Sequence, residues 1–149
     1  MARILIVGCG CRGRELGREL AARGHAVRGT SRDEDGRAAI AAAGFEAVAA
    51  DPARLGTLLP HLQGASALCW LMGTAGDPAL HGERFAALLE ELVDTHVRGV
   101  VYEDPASDEA AERAAGTYAM PVVRVDGSPS EPAAWLPAAV AAVDAVLAT

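Results

Sequence analysis

Residues 4–13 read ILIVGCGCRG, an apolar run that ends in three closely spaced glycines. A continuous apolar run of this kind is typical of a β-strand that is buried on both faces of a parallel sheet. Gly8, Gly10 and Gly13 have the spacing G-x-G-x-x-G, and the amphipathic pattern after them predicts a helix. This order of strand, glycine loop and helix is typical of the fingerprint at which dinucleotides bind. The alternative is a tight turn that binds no ligand.

Each glycine of such a loop has its own physical role. Gly8 permits the tight turn, Gly10 lets the backbone approach a pyrophosphate, and Gly13 lets the helix pack closely on the strand. Cys11 and Arg12 lie between the last two glycines, at the start of the helix, where unpaired N–H groups and a partial positive charge attract an anion. We therefore predict that the loop from Gly8 to Gly13, with Cys11 and Arg12, contacts a dinucleotide.

Strand and helix patterns alternate along the rest of the chain. This alternation, with short connections, predicts an α/β, three-layer, doubly wound Rossmann fold with a six-stranded parallel sheet and helices on both faces. No linker interrupts it, so we expect residues 1–149 to form a single domain. The predicted strands are Arg3–Val7, Ala26–Thr30, Phe45–Ala50, Ala65–Met72, Gly99–Tyr102 and Pro121–Val125. The predicted helices are Cys11–Arg23, Asp35–Ala43, Pro52–Leu62, Gly82–His96, Asp108–Gly116 and Ala133–Leu147.

Charge and composition exclude several classes of partner. The net charge of −7 argues against binding to nucleic acids or to anionic membrane surfaces. No apolar stretch is long enough to span a membrane and no signal peptide is recognised, so we expect a cytoplasmic protein. The three cysteines have neither the spacing of a disulfide framework nor that of a metal site, and no metal is predicted. Positive charge is concentrated around the glycine loop, because residues 1–37 hold eight arginines against five acids.

The end of the second strand indicates which dinucleotide is preferred. NAD-binding sites place an acidic residue there to accept hydrogen bonds from the ribose hydroxyls. In this sequence Ser31 occupies that position and Arg32 follows it, and a hydroxyl beside a guanidinium suits a 2′-phosphate. We expect Arg12 to add positive charge on the same side. NADP is therefore the predicted cofactor, and NAD is the alternative, with Asp33 or Glu34 binding the ribose.

Four segments together resemble the nucleotide-binding half of extended or atypical short-chain dehydrogenases/reductases, the NAD(P)-dependent epimerase/dehydratase superfamily. They are ILIVGCGCRGRELGREL (4–20), GHAVRGTSR (24–32), GFEAVAADPARL (44–55) and LLPHLQGASALCWLMG (58–73). The resemblance implies that Asp51, after the third strand, contacts the adenine, and that Gly73 and Thr74 line the far ribose. Asp51 has an alternative role as the cap of the next helix.

The sequence departs from that family where its catalysis is performed. The family uses a Tyr-x-x-x-Lys pair, but Ala106 stands four residues after Tyr102 and Val122 four residues after Tyr118, and the chain contains no lysine. The family's C-terminal substrate domain also has no counterpart in these 149 residues. We therefore predict a cofactor-binding or redox-sensing module without the family's catalysis.

Two other functions remain open. The first is a small NAD(P)-dependent oxidoreductase or epimerase-like enzyme whose site is non-standard or is completed by a partner subunit or by a homo-oligomer. The second is a scaffold with a vestigial site. His81 and Asp104 follow the fourth and fifth strands, at the edge where ligands bind in such sheets, and loop or surface roles are their alternatives. Catalytic residues are not assigned from the sequence.

Overall fold

The computed structural model describes residues 2–72 and 82–148. Six strands form one sheet in the order β3-β2-β1-β4-β5-β6, and every neighbouring pair is parallel. The strands are β1 (Arg3–Val7), β2 (Ala26–Ser31), β3 (Glu46–Ala49), β4 (Ala67–Trp70), β5 (Gly99–Tyr102) and β6 (Val122–Arg124). The predicted fold class, a doubly wound parallel α/β sheet, is confirmed.

Five α-helices cover the two faces of the sheet within the described ranges. They are α1 (Cys11–Ala22), α2 (Glu34–Ala42), α3 (Glu83–Glu91), α4 (Asp108–Tyr118) and α5 (Pro132–Leu147). Side chains of α1, α2 and α5 belong to one apolar cluster, and those of α3 and α4 belong to the other. The molecule therefore has three layers, with the sheet in the middle.

β1 shows why its sequence forms the centre of this sheet. Ile4 and Ile6 pack into the cluster of α1 and α5, whereas Leu5 and Val7 pack into the cluster of α3 and α4. All four side chains are at most 1% exposed. Because successive strand residues point to opposite faces, only a continuous apolar run fits a strand that is covered on both sides.

The third predicted helix, Pro52–Leu62, is wrong. Residues Leu55–Thr57 and Leu59–His61 form two short 3₁₀ turns instead. Gly56 weakens helix propagation in the middle of this segment, and Pro60 lacks the N–H that a continuing α-helix needs. The long helix predicted from Gly82 to His96 is also shorter, because α3 ends at Glu91 and a 3₁₀ turn, Leu92–Asp94, follows it.

The strand order determines where a ligand can be held. The chain passes from β1 outward to β2 and β3, and then returns to place β4 on the other side of β1. The helix after β1, α1, and the next described helix after β4, α3, pack on opposite faces of the sheet. A crevice is expected at the carboxyl edge of the sheet where such connections separate. Open α/β sheets bind their ligands at such a switch point.

Candidate functional site

A cleft of about 500 Å³ lies at the carboxyl edge of the sheet, above β1, β2 and β3. Its described walls come from the glycine loop, from the residues that follow β2 and β3, and from the two residues after β4. The sequence-predicted residues that line it are Gly8, Gly10, Arg12, Gly13, Ser31, Arg32 and Asp51. Cys11, which is exposed, begins α1 beside this wall.

Gly8 and Gly13 are required by the protein's own packing. Gly8 has a φ of +82°, which favours glycine, and a Cβ at this position would collide with Met72 and with the carbonyl oxygen of Leu71. A Cβ on Gly13 would lie 3.2 Å from the carbonyl oxygen of Gly8 and from Ile6 Cγ2. These two glycines therefore form the tight turn and the close helix–strand contact that the motif predicts.

Gly10 differs from its neighbours in the loop. Its φ of −84° suits any residue, and a Cβ built on it would meet no atom of residues 2–72 and 82–148 within 4 Å. It forms the N-cap of α1, which has no side-chain cap and no acidic residue in its first turn. By contrast, Asp33 caps α2, whose first turn also holds Glu34 and Asp35. The amino end of α1 thus meets the cleft with neither a capping side chain nor a negative charge.

The residues after β2 form the second wall of the cleft. Arg32 is exposed, and within residues 2–72 and 82–148 its side chain has no hydrogen bond or ion pair. Ser31 Oγ accepts a weak hydrogen bond from the N–H of Asp33 at 3.4 Å. Asp33 Oδ1 accepts a hydrogen bond from Gly36 N at 2.6 Å, so its carboxylate caps α2. The side chain that is free to meet a ligand at this position is that of Arg32.

Asp51 has the capping role considered from the sequence and also lies in the wall of the cleft. Its Oδ1 accepts a hydrogen bond from Ala53 N at 2.9 Å, which caps the turn after β3. Its own N–H donates to Thr57 Oγ1 at 2.8 Å, so the backbone at this position is held from both sides. Asp51 also lines the cleft. The adenine contact that the resemblance implies stays a prediction.

Arg12 points away from Ser31 and Arg32. Its guanidinium donates to Glu103 Oε1 and lies over the ring of Trp135, with 5.6 Å from Cζ to the ring centroid. Glu103 follows β5, and β5 and β2 lie on opposite sides of β1. The expectation that Arg12 adds charge on the side of Arg32 is therefore wrong, because a buried carboxylate on the β5 side attracts the guanidinium.

Glu103 and Trp135 are the site residues that sequence reasoning missed. The Glu103 side chain is completely buried, and its Oε2 accepts a hydrogen bond from Trp135 Nε1 at 3.1 Å. The alternation of side chains along β5 could have predicted the direction of Glu103. Val101 packs into the cluster of α1 and α5, and Glu103, two residues later, points to the same face of the sheet. Asp104, the acid chosen from the sequence, caps the following turn by accepting from Ala106 N at 2.7 Å.

The pKa of Tyr102 is shifted in the direction opposite to the shift that a catalytic tyrosine needs. Its hydroxyl donates to Asp108 Oδ1 at 2.5 Å, and its ring packs against Phe85. Burial of the side chain, and then the bond to the Asp108 carboxylate, raise the pKa of Tyr102 well above its ordinary value. A tyrosine that exchanges protons in catalysis needs a lowered pKa.

The three cysteines occupy different environments. Burial raises the pKa of the Cys9 thiol to about 11, and burial followed by the nearby Cys9 raises that of Cys69 to about 12. Cys9 Sγ fills the space beside Gly29, where a Cβ would lie 2.7 Å from it. Cys11 is exposed. Cys9 and Cys69 therefore act as small apolar residues of the core.

Three residues considered from the sequence, Gly73, Thr74 and His81, lie outside the described residues. Within residues 2–72 and 82–148, no helix is long and apolar enough to cross a membrane. In the same ranges, no three metal-ligating side chains come together.

No family model matches the sequence, and no curated protein matches it. Solved structures do match it. The triphenylmethane reductase of Citrobacter sp. complexed with NADP(H) has a TM-score of 0.66 and 21% identity, over 83% of this chain and 48% of that protein. The Escherichia coli quinone oxidoreductase complexed with NADPH has a TM-score of 0.66 and 18% identity, over 82% and 47%. A Bacillus cereus UDP-glucuronic acid 4-epimerase complexed with NAD has a TM-score of 0.65 and 13% identity, over 82% and 55%.

The chain spans about half the length of these solved structures. At such identities the likeness concerns the fold. The resemblance inferred from the sequence is confirmed at that level: the chain has the Rossmann-like fold found in these reductases and epimerases.

Proposed function

We propose that this chain binds NADP(H) in the cleft above β1, β2 and β3, as a single dinucleotide-binding domain located in the cytoplasm. The amino end of α1 carries the proposal. It meets the cleft without a capping side chain or an acidic first turn, and the glycine before it leaves space that no atom of the described residues fills. A pyrophosphate fits this position, because it accepts hydrogen bonds from the N–H groups of the first turn and interacts favourably with the helix dipole.

The test compares glycines that are equally open in the protein. Gly10→Val puts a side chain into the proposed pyrophosphate space, where a Cβ meets no described protein atom within 4 Å, so it should abolish NADPH binding and leave the fold intact. Gly116→Val, at an open glycine in α4, should leave binding unchanged. Binding is measured by isothermal titration and by the shift of thermal stability, where ligand at 100 times its Kd adds about 2.7 kcal/mol. Unchanged affinity in a folded Gly10→Val protein would contradict the proposal.

The choice of NADP over NAD rests on Ser31 and Arg32. A 2′-phosphate beside the Arg32 guanidinium gains charge-assisted hydrogen bonds, and the carboxylate of Asp33, the next residue in the chain, accepts a hydrogen bond from the amide of Gly36. We expect NADPH to bind roughly ten times more tightly than NADH at low salt. Arg32→Ala should remove most of this preference, and Ser31→Asp should reverse it. Equal weakening of both cofactors by Arg32→Ala would show that the 2′-phosphate is not bound there.

The class of function that we propose is a cofactor-binding or redox-sensing module. The absence of lysine removes the partner that lowers the pKa of a catalytic tyrosine, and the hydroxyl of Tyr102 is already bonded to Asp108. NADPH incubated with aldehydes, ketones and nucleotide sugars should therefore not be consumed above background. NADPH oxidation that disappears in Tyr102→Phe or Tyr118→Phe would contradict this proposal.

A second candidate is a small NAD(P)-dependent oxidoreductase or epimerase-like enzyme, and one observation favours it. Glu103 places a buried carboxylate at the carboxyl edge of β5, beside an arginine of the glycine loop. Buried carboxylates at such edges can serve as general acids or bases. The same substrate panel tests this candidate: turnover that survives both tyrosine substitutions and disappears in Glu103→Gln would support it.

A further inference from the structure

The first turns of α1 present two arginines to opposite sides of the glycine loop. Gly13 faces β1, since a Cβ there would touch Ile6 and the backbone of Gly8. Residues 12 and 14 flank Gly13 on the helix and are separated by about 200° around its axis. Arg12 turns toward β5, where it meets Glu103 and Trp135. Arg14 must therefore leave the helix on the other side, toward β2.

Gly17 confirms the direction of this rotation independently. It lies one turn after Gly13 and is displaced in the same rotational sense as Arg14. A Cβ on Gly17 would meet Val27 of β2 and Phe45, which precedes β3. Rotation from Gly13 toward Arg14 thus leads to the β2 side of the sheet.

The surroundings of Arg14 agree with this placement. Its Nη2 lies 3.4 Å from Cys11 Sγ, and the residue lines the cleft together with Ser31 and Arg32. Its positive charge acts on Cys9, where it opposes the rise of the thiol pKa caused by burial. Cys9 in turn packs against Gly29 of β2.

The backbone of the loop after β2 is fixed by Arg37, and the side chain of Arg32 in this loop makes no hydrogen bond or ion pair within residues 2–72 and 82–148. The guanidinium of Arg37 donates to the carbonyl oxygen of Arg32 at 3.2 Å and to that of Ser31 at 3.4 Å. Both of these bonds are to the backbone, so the Arg32 side chain is left free for a ligand. Ser31 Oγ lies against the Cα of Gly36, where any Cβ would collide with it. Cations therefore approach the end of β2 from two elements, α1 and the β2–α2 loop.

We propose that Arg14 is a specificity-determining residue, which binds the 2′-phosphate of NADP(H) from α1 while Arg32 binds it from the end of β2. The inference rests on the proposed function and deepens it. A phosphate dianion held between two guanidinium groups forms charge-assisted hydrogen bonds to both. NADH has a neutral hydroxyl in place of this phosphate, so Arg14 contributes to the binding of NADPH much more than to that of NADH.

The experiment measures the dissociation constants of NADPH, NADH and adenosine 2′-monophosphate for matched arginine variants. Arg14→Gln should weaken NADPH and adenosine 2′-monophosphate by about fivefold and leave NADH nearly unchanged, so that a preference of about twofold remains. Arg18→Gln, one turn further along α1 and exposed, should change none of the three. The double variant Arg14→Gln, Arg32→Gln should bind NADPH and NADH equally.

The outcomes separate this inference from the proposed function. If Arg14→Gln weakens NADPH and NADH equally, Arg14 binds the pyrophosphate and the inference is overturned while dinucleotide binding stands. If it weakens neither, the inference is also overturned. If the wild-type protein binds adenosine 2′-monophosphate through Arg14 but binds neither dinucleotide, the proposed function fails and the phosphate contact stands. If it binds none of the three, both fail.

Discussion

Arg12, in the first turn of α1, and Glu103, just after β5, form an ion pair between residues that are 91 positions apart in the chain. The carboxylate has no solvent exposure, whereas the guanidinium side chain is 23% exposed. Trp135 contributes to both partners, because its indole N–H donates to the carboxylate and its ring lies under the guanidinium. The glycine loop is thereby attached to β5 and α5.

Removal of the buried partner should destabilise the protein strongly. We expect Glu103→Ala to lower the free energy of unfolding by about 3 kcal/mol, because it leaves the guanidinium and the indole N–H without their acceptor. Glu46→Ala is the control: this side chain is 58% exposed and pairs with Arg28 at 2.8 Å, so its loss should cost less than about 1 kcal/mol. Urea unfolding measures both. Equal effects of the two substitutions would contradict the structural role of Glu103.

The glycines of the loop should differ in their effect on stability. We expect Gly8→Ala to lower the free energy of unfolding by about 2 kcal/mol, because φ at this position is +82° and the new methyl group would collide with Leu71. Gly10→Ala should change it by less than about 0.5 kcal/mol, since the new methyl group would meet no atom of the described residues within 4 Å. Thermal and urea unfolding of the two variants test this contrast, and a Gly10→Ala protein that unfolds more readily than Gly8→Ala would contradict it.

Alkylation should distinguish the three cysteines. In the folded protein iodoacetamide should modify Cys11 and spare Cys9 and Cys69, because those two thiols are buried and burial raises the pKa of each. Peptide mass spectrometry identifies the modified residue, and Cys11→Ser should abolish labelling. If the cleft holds a dinucleotide as proposed, saturating NADPH should slow the labelling of Cys11. Rapid labelling of Cys69 in the folded state would be inconsistent with its position in β4.

Stability should fall in alkaline solution through Tyr102. The folded-state pKa of this phenol is raised above the ordinary value of 10.0, so the folded state retains a proton that the unfolded state loses first. The contribution is fully present below about pH 10 and is lost as the pH rises toward the folded-state pKa. The stability difference between wild type and Tyr102→Phe should therefore shrink as the pH rises from about 10 to about 12. A difference that is constant over this range would contradict the raised pKa. The cysteines contribute equally to the stability of both proteins, so their contribution cancels in the difference between wild type and Tyr102→Phe.

The pattern of the sequence was sufficient for the sheet and for the glycine loop because both depend on local information. A continuous apolar run such as Ile4–Val7 needs cover on both faces, and the spacing of Gly8, Gly10 and Gly13 matches a particular strand–helix turn. The prediction failed between Pro52 and Leu62, where the apolar residues have a helical appearance but Gly56 and Pro60 prevent a continuous α-helix.

The side-chain arrangement of the site could not be predicted from local patterns. The direction of the Arg12 side chain, toward β2 or toward β5, depends on the carboxylate of Glu103, which follows β5 and is distant in the sequence. The alternation along β5 predicts that Val101 and Glu103 share a face of the sheet. It does not predict which helix covers that face. Long-range pairing of this kind is decided by tertiary packing.

During synthesis on the ribosome, the glycine loop is made before β5, and β5 is made before α5. The ion pair of Arg12 and Glu103 can therefore form only after β5 has been translated. Trp135 joins the pair only when α5 docks on the face that it shares with α1. Non-local contacts of this kind form late, because the intervening chain must first be ordered. A nascent chain whose central strands have already paired still lacks Trp135, whose indole N–H donates to Glu103 and whose ring packs against Arg12. The cluster of Arg12, Glu103 and Trp135 is therefore complete only after α5 has docked.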